Sequence, residues 1–254
     1  MSWARLTAEL DQWRHIGRRP SLWWRDDDAR APTLALARLL NLAAEHDLSV
    51  CLAASPATAD PELPAYLGSY PGTTVAIHGY AHHNHAPADA RKAELGPHRP
   101  LPTMLGEIEV ARARIEEMFG PRALPVLVPP WNRIDVGLVA HLFGVGVRGL
   151  STLGPRATAD AAPGLRQANV HVDVIDWRGG RRFRGVEACL GDLIGHLRAR
   201  REGEADAEEP TGLLTHHLVL DEPAWRFLAE LLGTLMARGG PICPSPRKIF
   251  NLAA

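Results

Sequence analysis

The stretch LWWRDDDA, residues 22–29, is an apolar run that stops at three adjacent carboxylates. A run this short, rich in bulky residues and closed by polar ones, reads as a buried strand whose C-terminal end opens on a site. TTVAIH, residues 73–78, repeats the form and ends on the first imidazole of HGYAHHNH. Further strand-like runs at 48–54, 123–128, 145–150, 169–175 and 212–218 bring the number to seven. Between or after them, apolar residues recur at three- and four-residue spacings over 32–45, 104–119, 136–143, 185–199 and 222–238, which predicts helices. In the clearest, Leu105, Ile108, Ala111, Ile115 and Met118 share one stripe, and Gly120-Pro121 ends it.

Alternating strands and helices predict an α/β fold, and seven strands with polar C-terminal ends predict a barrel with one working face. No composition shift divides the chain, so residues 1–254 are read as one domain. Segments 61–70 and 86–102, rich in Pro, Ala and Gly, read as loops, the second long enough to act as a lid. The charged run REGEADAEE, residues 201–209, reads as an exposed loop or fraying helix end. Trp23 and Trp24 precede the acids and read as core and barrel wall.

A composition of 46% hydrophobic and 22% charged residues fits a soluble globular protein with a sizeable core. The formal net charge of −1 offers no long-range field for nucleic acid or an anionic membrane. The expected partner is therefore a small molecule or an oligosaccharide. Cys51, Cys189 and Cys243 are odd in number and lack CxxC or CxxH spacing, which predicts neither a disulfide framework nor a thiolate metal site. The first twenty residues are charged throughout and no apolar run spans a bilayer, so a cytoplasmic location is expected.

Asp26, Asp27 and Asp28 would repel one another strongly unless a cation or protons relieved them, which points to metal binding or catalysis. A capping role for Asp28 accounts for only one of the three. His78, His82, His83 and His85 lie within eight residues, and the i, i+4 spacing of His78 and His82 can align two imidazoles on a helical turn. Two such nitrogens and one carboxylate make a catalytic-type site with positions left for water, and zinc is the default ion for that donor set.

Taken in order, Asp26-Asp27, His78-Gly-Tyr-Ala-His82, Val128-Pro129-Pro130-Trp131, Asp173-Val-Ile-Asp176-Trp177 and Leu214-Thr215-His216 resemble the five motifs of the polysaccharide deacetylase superfamily, carbohydrate esterase family 4. The resemblance spans residues 26–216 and implies a distorted seven-stranded (β/α) barrel with metal-dependent deacetylase activity. It implies Asp27, His78 and His82 as ligands of one divalent ion, Asp26 as catalytic base, and His216 as general acid tuned by Asp176. Trp177 and Leu214 would line the pocket, Pro130 and Trp131 would form a substrate wall, and a backbone N–H near Trp131 would face the oxyanion. The expected reaction is removal of an acetyl group from an N-acetylated sugar or related soluble amide. Hydrolysis of a cyclic amide, or binding without turnover, are the alternatives.

Three departures from the family pattern stand out. Asp28 occupies the usual Gly position, so a register shifted by one, with Asp27 as base and Asp28 as ligand, is the alternative. Val128 replaces the Arg that orients the base, leaving Arg25 or Arg133 to supply that charge. His217 stands beside His216 and competes for the acid role. Arg181, Arg182 and Arg184 lie on the expected active face, where a solvated loop or contacts to an anionic substrate group are the readings. Glu94, His98 and Arg99 lie in the long loop after the His run, where they could shape specificity.

Overall fold

A computed structural model describes residues 2–237 and 240–253. In chain order the elements are α1 (Ser2–His15), β1 (Leu22–Asp26), α2 (Leu34–Glu45), β2 (Val50–Ala54), α3 (Leu63–Leu67), β3 (Thr73–Ile77), α4 (Leu101–Phe119), β4 (Ala123–Leu127), α5 (Val136–Val139) and β5 (Gly149–Leu150). They continue as β6 (Asp160–Ala162), β7 (Leu165–Gln167), β8 (Val172–Asp173), β9 (Ile175–Asp176), β10 (Arg182–Phe183), α6 (Val186–Glu202), β11 (Thr211–Thr215), α7 (Glu222–Met236) and α8 (Pro246–Ile249).

The main sheet runs β6-β7-β5-β4-β3-β2-β1-β11-β8, with every pair parallel except β6-β7. Its two ends meet in one run of chain. Ala168 and Val170 donate to Leu150 and Thr152 on the β5 side, whereas His171 and Val174 donate to Gly212 and Leu214 on the β11 side. Residues 165–174 therefore act as a single irregular strand that closes the curl, giving the distorted seven-stranded (β/α) barrel.

Parallel strands covered on both faces should be apolar throughout, and β1 is buried at every position. Alternate residues serve two layers. Trp23, Cys51, Ala53, Ala76, Val126, Val128 and Leu214 fill the barrel interior, while Trp24, Leu52, Val75, Ile77 and Leu127 pack outward against the helices. The many small inward residues make room for the Trp23 indole. Phe250, following α8, plugs the lower end with its ring edge-on to Trp23 at 5.7 Å. Gly149 is glycine for the same reason, since a Cβ there would lie 2.6 Å from the Phe250 ring.

The helices follow their local signals. Thr33 caps α2 by accepting from the Leu36 N–H, and Asp221 caps α7 from Ala224 with proline in its first turn. Helix α4 buries Met104, Ile108, Ala111, Ile115 and Phe119, a stripe rotated from the expected one so that Leu105 and Met118 are only partly covered. Other expectations are corrected by the structure. Segment 61–70 contains the short helix α3, the expected helix 136–143 shrinks to α5 and a 3-10 turn, and α7 ends at Met236, with Arg238 outside the described residues. Glu209, expected in an exposed loop, is fully buried and accepts from the backbone N–H groups of Arg156 and Asn169. Among the described residues, no helix is long and apolar enough to cross a membrane.

Candidate metal centre and active site

All of the candidate chemistry lies at the C-terminal ends of the strands, as the sequence predicts. The carboxylate that joins the two imidazoles is Asp28. Its Oδ1 lies 3.5 Å from His78 Nε2 and 3.4 Å from His82 Nε2, and the three donors fall within 4.8 Å of one another. His78 Nδ1 donates to the Val128 carbonyl at 2.9 Å, which leaves the Nε2 lone pair free to face the cluster. Three convergent donors with the tautomer fixed from behind fit a divalent metal with open positions. Burial alone would raise the Asp28 pKa, but the hydrogen bond from His78 and the charges of His78, His82 and His216 outweigh it and hold the carboxyl well below its usual range. For His78, burial pulls downward while Asp28 and Asp27 pull harder upward, so its pKa is raised. Burial and the neighbouring His78 lower that of His82.

Asp27, expected as the ligand, is engaged elsewhere. The Arg25 fork donates to both of its oxygens, Nε to Oδ1 at 2.9 Å and Nη2 to Oδ2 at 3.0 Å. Arg25 is itself completely buried and is fixed by Ser151 Oγ at 2.7 Å and Asn132 Oδ1 at 2.6 Å. It thus occupies the orienting position that Val128 cannot fill, and Arg133 does not take it. His216 Nε2 faces Asp27 Oδ2 at 4.0 Å, which leaves a gap between a potential base and a potential acid.

Asp26, expected as the base, points the other way. It accepts from the Thr215 hydroxyl at 2.6 Å, the His217 N–H at 3.0 Å and His217 Nδ1 at 2.5 Å, none of them in the Asp28–His78–His82 cluster. Burial lowers the His217 pKa, but the Asp26 charge and hydrogen bond outweigh it and raise it. This pairing removes His217 from competition and leaves His216 at the site. Asp176 is corrected as well. Its Oδ1 is spent on the N–H groups of Arg178 and Gly179 in a partly exposed turn, and the acid that shares a field with His216 is Asp173. Burial raises the Asp173 pKa, although its oxygens accept from the Ile175 N–H and the Trp177 indole. Trp177 stands edge-on to His216 at 4.6 Å, where a wall was expected. Leu214 lies buried among the interior residues below, Pro130 backs the His loop at Gly79, and Trp131 packs on His82 at 4.3 Å.

The His pair meets without a helix. His82 has φ 58°, and the loop is held by Glu94, which is buried and accepts from the N–H groups of Tyr80 and Ala81. His83 and His85 are exposed. Among the described residues, four of the seven non-glycines with positive φ sit here, namely Asp28, His82, Trp131 and Asn132. Such concentrated backbone strain is characteristic of a site whose geometry the surroundings impose. Sequence reasoning missed Asn132, Ser151 and the anchoring role of Glu94, since none of them lies in a chemically suggestive pattern.

A second group, His171, His196 and Glu209, lies at the N-terminal ends of β8 and β11. Its geometry does not suit a cation. The two rings are stacked at 3.4 Å and 15°, so no point within bonding distance of both lies in both ring planes. The Gly212 N–H donates to His171 Nδ1 at 2.9 Å, which places the proton of a neutral ring on Nε2. Burial and the adjacent His171 push His196 down to about 2.

No family model matches the sequence, and no curated protein matches it. Solved structures do. A protein assigned as a polysaccharide deacetylase from Mycobacterium smegmatis superposes with TM-score 0.61 at 16% identity, covering 92% of each chain. A family 4 carbohydrate esterase from Streptomyces lividans, in complex with acetate, gives 0.54 at 17% identity over 88% of this chain and 91% of its own. A family 4 acetyl xylan esterase from Clostridium thermocellum, in complex with a cobalt ion, gives 0.53 at 14% identity over 91% and 90%. The chain therefore has the fold of the carbohydrate esterase family 4 deacetylases.

Proposed function

We propose that the chain is a metal-dependent deacetylase that hydrolyses the acetamido group of an N-acetylated sugar or a related soluble amide. The observation that carries this reading is the convergence of Asp28, His78 and His82 opposite the Asp27–His216 gap. Asp28, His78 and His82 would hold one divalent ion, with zinc the default for this donor set. When bound, the ion supplies Lewis acidity toward water and an acyl carbonyl.

Asp27 acts as general base, taking a proton from the attacking water through Oδ2. Arg25 keeps it aimed through a buried bidentate pair. His216 donates a proton from Nε2 to the departing nitrogen, while Trp177 fixes its ring. Trp131 and Trp177 wall the opening. The family 4 enzymes of like fold, one holding acetate and one cobalt, support the same chemistry. Three free cysteines accord with a reducing compartment such as the cytoplasm.

The test is elemental analysis of protein purified without chelator, followed by acetate release from N-acetylated sugars. About one metal per chain is expected, with Asp28→Ala, His78→Ala and His82→Ala each losing most of it. Full metal retention in all three variants would overturn the ligand set. A ring-opened acid from a cyclic amide, with no acetate from any sugar, would overturn the deacetylase reading.

A further inference from the structure

Two arginines stand just outside the two walls of the site. Trp131, against His82, is followed two residues later by Arg133, and Trp177, against His216, is followed directly by Arg178. The two positions thus adjoin the site, one on the side of His82 and one on the side of His216. Arg91 joins them from the loop between β3 and α4, a loop fixed to Arg133 where its Nη1 donates to the Lys92 carbonyl at 2.7 Å. Arg133 is within electrostatic reach of both of the others, since its pKa is lowered first by burial and then by the charges of Arg91 and Arg178.

Nothing among the described residues neutralises them. None of the three forms an ion pair, although the chain as a whole carries 29 acids to 28 bases. Asp89, Asp135 and Asp176 each lie two residues from one of the three without pairing to it; Asp135 accepts from the Gly137 N–H, and Asp176 is committed to backbone N–H groups and to the charges of Arg182 and Arg184. Arg181 adds a further cation over the outer face of the Trp177 ring, 5.5 Å from its centroid. An unrelieved cluster of guanidinium groups beside a reaction centre is a costly arrangement that an anionic ligand group would relieve. Guanidinium forks match the paired oxygens of phosphate and carboxylate.

We propose that the substrate is anionic: an N-acetylated sugar bearing a phosphate or carboxylate, which Arg133, Arg178 and Arg91 grip at the entrance while the acetamido group lies between Asp27 and His216. The assignment rests on the deacetylase reading for the reacting group, but the anion subsite can be measured without turnover.

Calorimetric titration of the metal-loaded protein compares N-acetylglucosamine with its 1-phosphate, its 6-phosphate and N-acetylmuramic acid. At least one anionic sugar should bind tenfold or more tightly than the neutral sugar, with the advantage shrinking in high salt. The phosphate and carboxylate arms distinguish the two sources of charge. The Arg133→Gln/Arg178→Gln double variant should weaken that anionic ligand by ~10–100-fold, as expected for losing charge-assisted pairs, whereas Arg226→Gln on exposed α7 should not. If acetate is released, the kcat/KM ratio of anionic to neutral substrate should fall at least tenfold in the double variant, chiefly through KM. Equal binding of neutral and anionic sugars, or an equal effect of the double variant on both, overturns the proposal. Selective anion binding without acetate release keeps the subsite and removes only the deacetylase reading.

Discussion

Asp26 and Asp27 are neighbours in the chain with opposite surroundings, because successive strand side chains point to opposite faces. Trp23 lies in the barrel interior, which puts Arg25 and Asp27 on the same inner side, and Trp24 and Asp26 on the outer. The same alternation separates inner Leu214 and His216 from outer Thr215 and His217, and the two outer pairs meet through hydrogen bonds to Asp26 and Trp24. The residue types of the site are legible in the sequence, but the tripled acid offers two registers and the doubled histidine two candidates. What selects between them is which way Trp23 faces, a fact of packing that the motifs do not contain. Asp27→Asn should retain metal and lower kcat by about 10²–10⁴-fold, the usual range for loss of a general base. Asp26→Asn should leave turnover per folded molecule near that of the parent chain. It should cost about 1–3 kcal/mol of stability, since a buried acceptor of three hydrogen bonds is compromised. Acetate-release kinetics beside urea unfolding check both; an active Asp27→Asn with a folded but inactive Asp26→Asn would reverse the two roles.

At the scale of the element, the loop from His78 to Glu94 shows a pair correctly paired for another reason. Helical i, i+4 spacing predicts that His78 and His82 meet, and they do, with ring centroids 5.0 Å apart. Yet the loop is irregular, and positive φ at Gly79 (61°) and His82 (58°) turns the second imidazole back. Glu94 then receives the loop's N–H groups in the space that a side chain at Gly79 would occupy. A Cβ there would stand 1.9 Å from Glu94 Oε2 and 2.8 Å from Pro130 Cγ. No periodicity encodes this arrangement, because the anchor lies fifteen positions beyond the glycine and its partners are backbone groups. Gly79→Ala should therefore destabilise the chain by about 2–4 kcal/mol, combining overpacking with the left-handed backbone penalty. It should also weaken metal affinity while leaving Asp27 and His216 in place. Competition for zinc against a chromophoric chelator reads the second effect, and an unchanged affinity would show that Glu94 and Gly79 do not position His82.

For the whole molecule, the barrel was legible from seven apolar runs with polar ends, whereas its closure was not, since residues 165–174 change partners midway and have no uniform strand pattern. The β1–β11 pairing sets buried Asp26 against His217, and the ends of β1 and β3 set half-buried Asp28 against His78, so protonation at the site is coupled to global stability. In the metal-free chain both histidines have pKa values raised above the ordinary 6.5. A group whose folded pKa is raised contributes stability that is fully present below the unfolded pKa and lost as pH rises through the folded one. The chelated protein should thus weaken from about pH 6.5 upward, by at most ~1.4 kcal/mol per group for each unit of upward shift. Metal reverses the sense at one of these groups, because an ion can take the Nε2 of His78 only after its proton has left. The His217 contribution is common to both forms and cancels when they are compared. At a fixed free zinc concentration, the stability gap between loaded and chelated protein should therefore widen from pH 6 to pH 8. It would reach about 4 kcal/mol where zinc exceeds its Kd a thousandfold. Urea unfolding at three pH values, with zinc and with chelator, measures that gap, and one that stays constant or narrows with rising pH would mean that His78 is not a ligand.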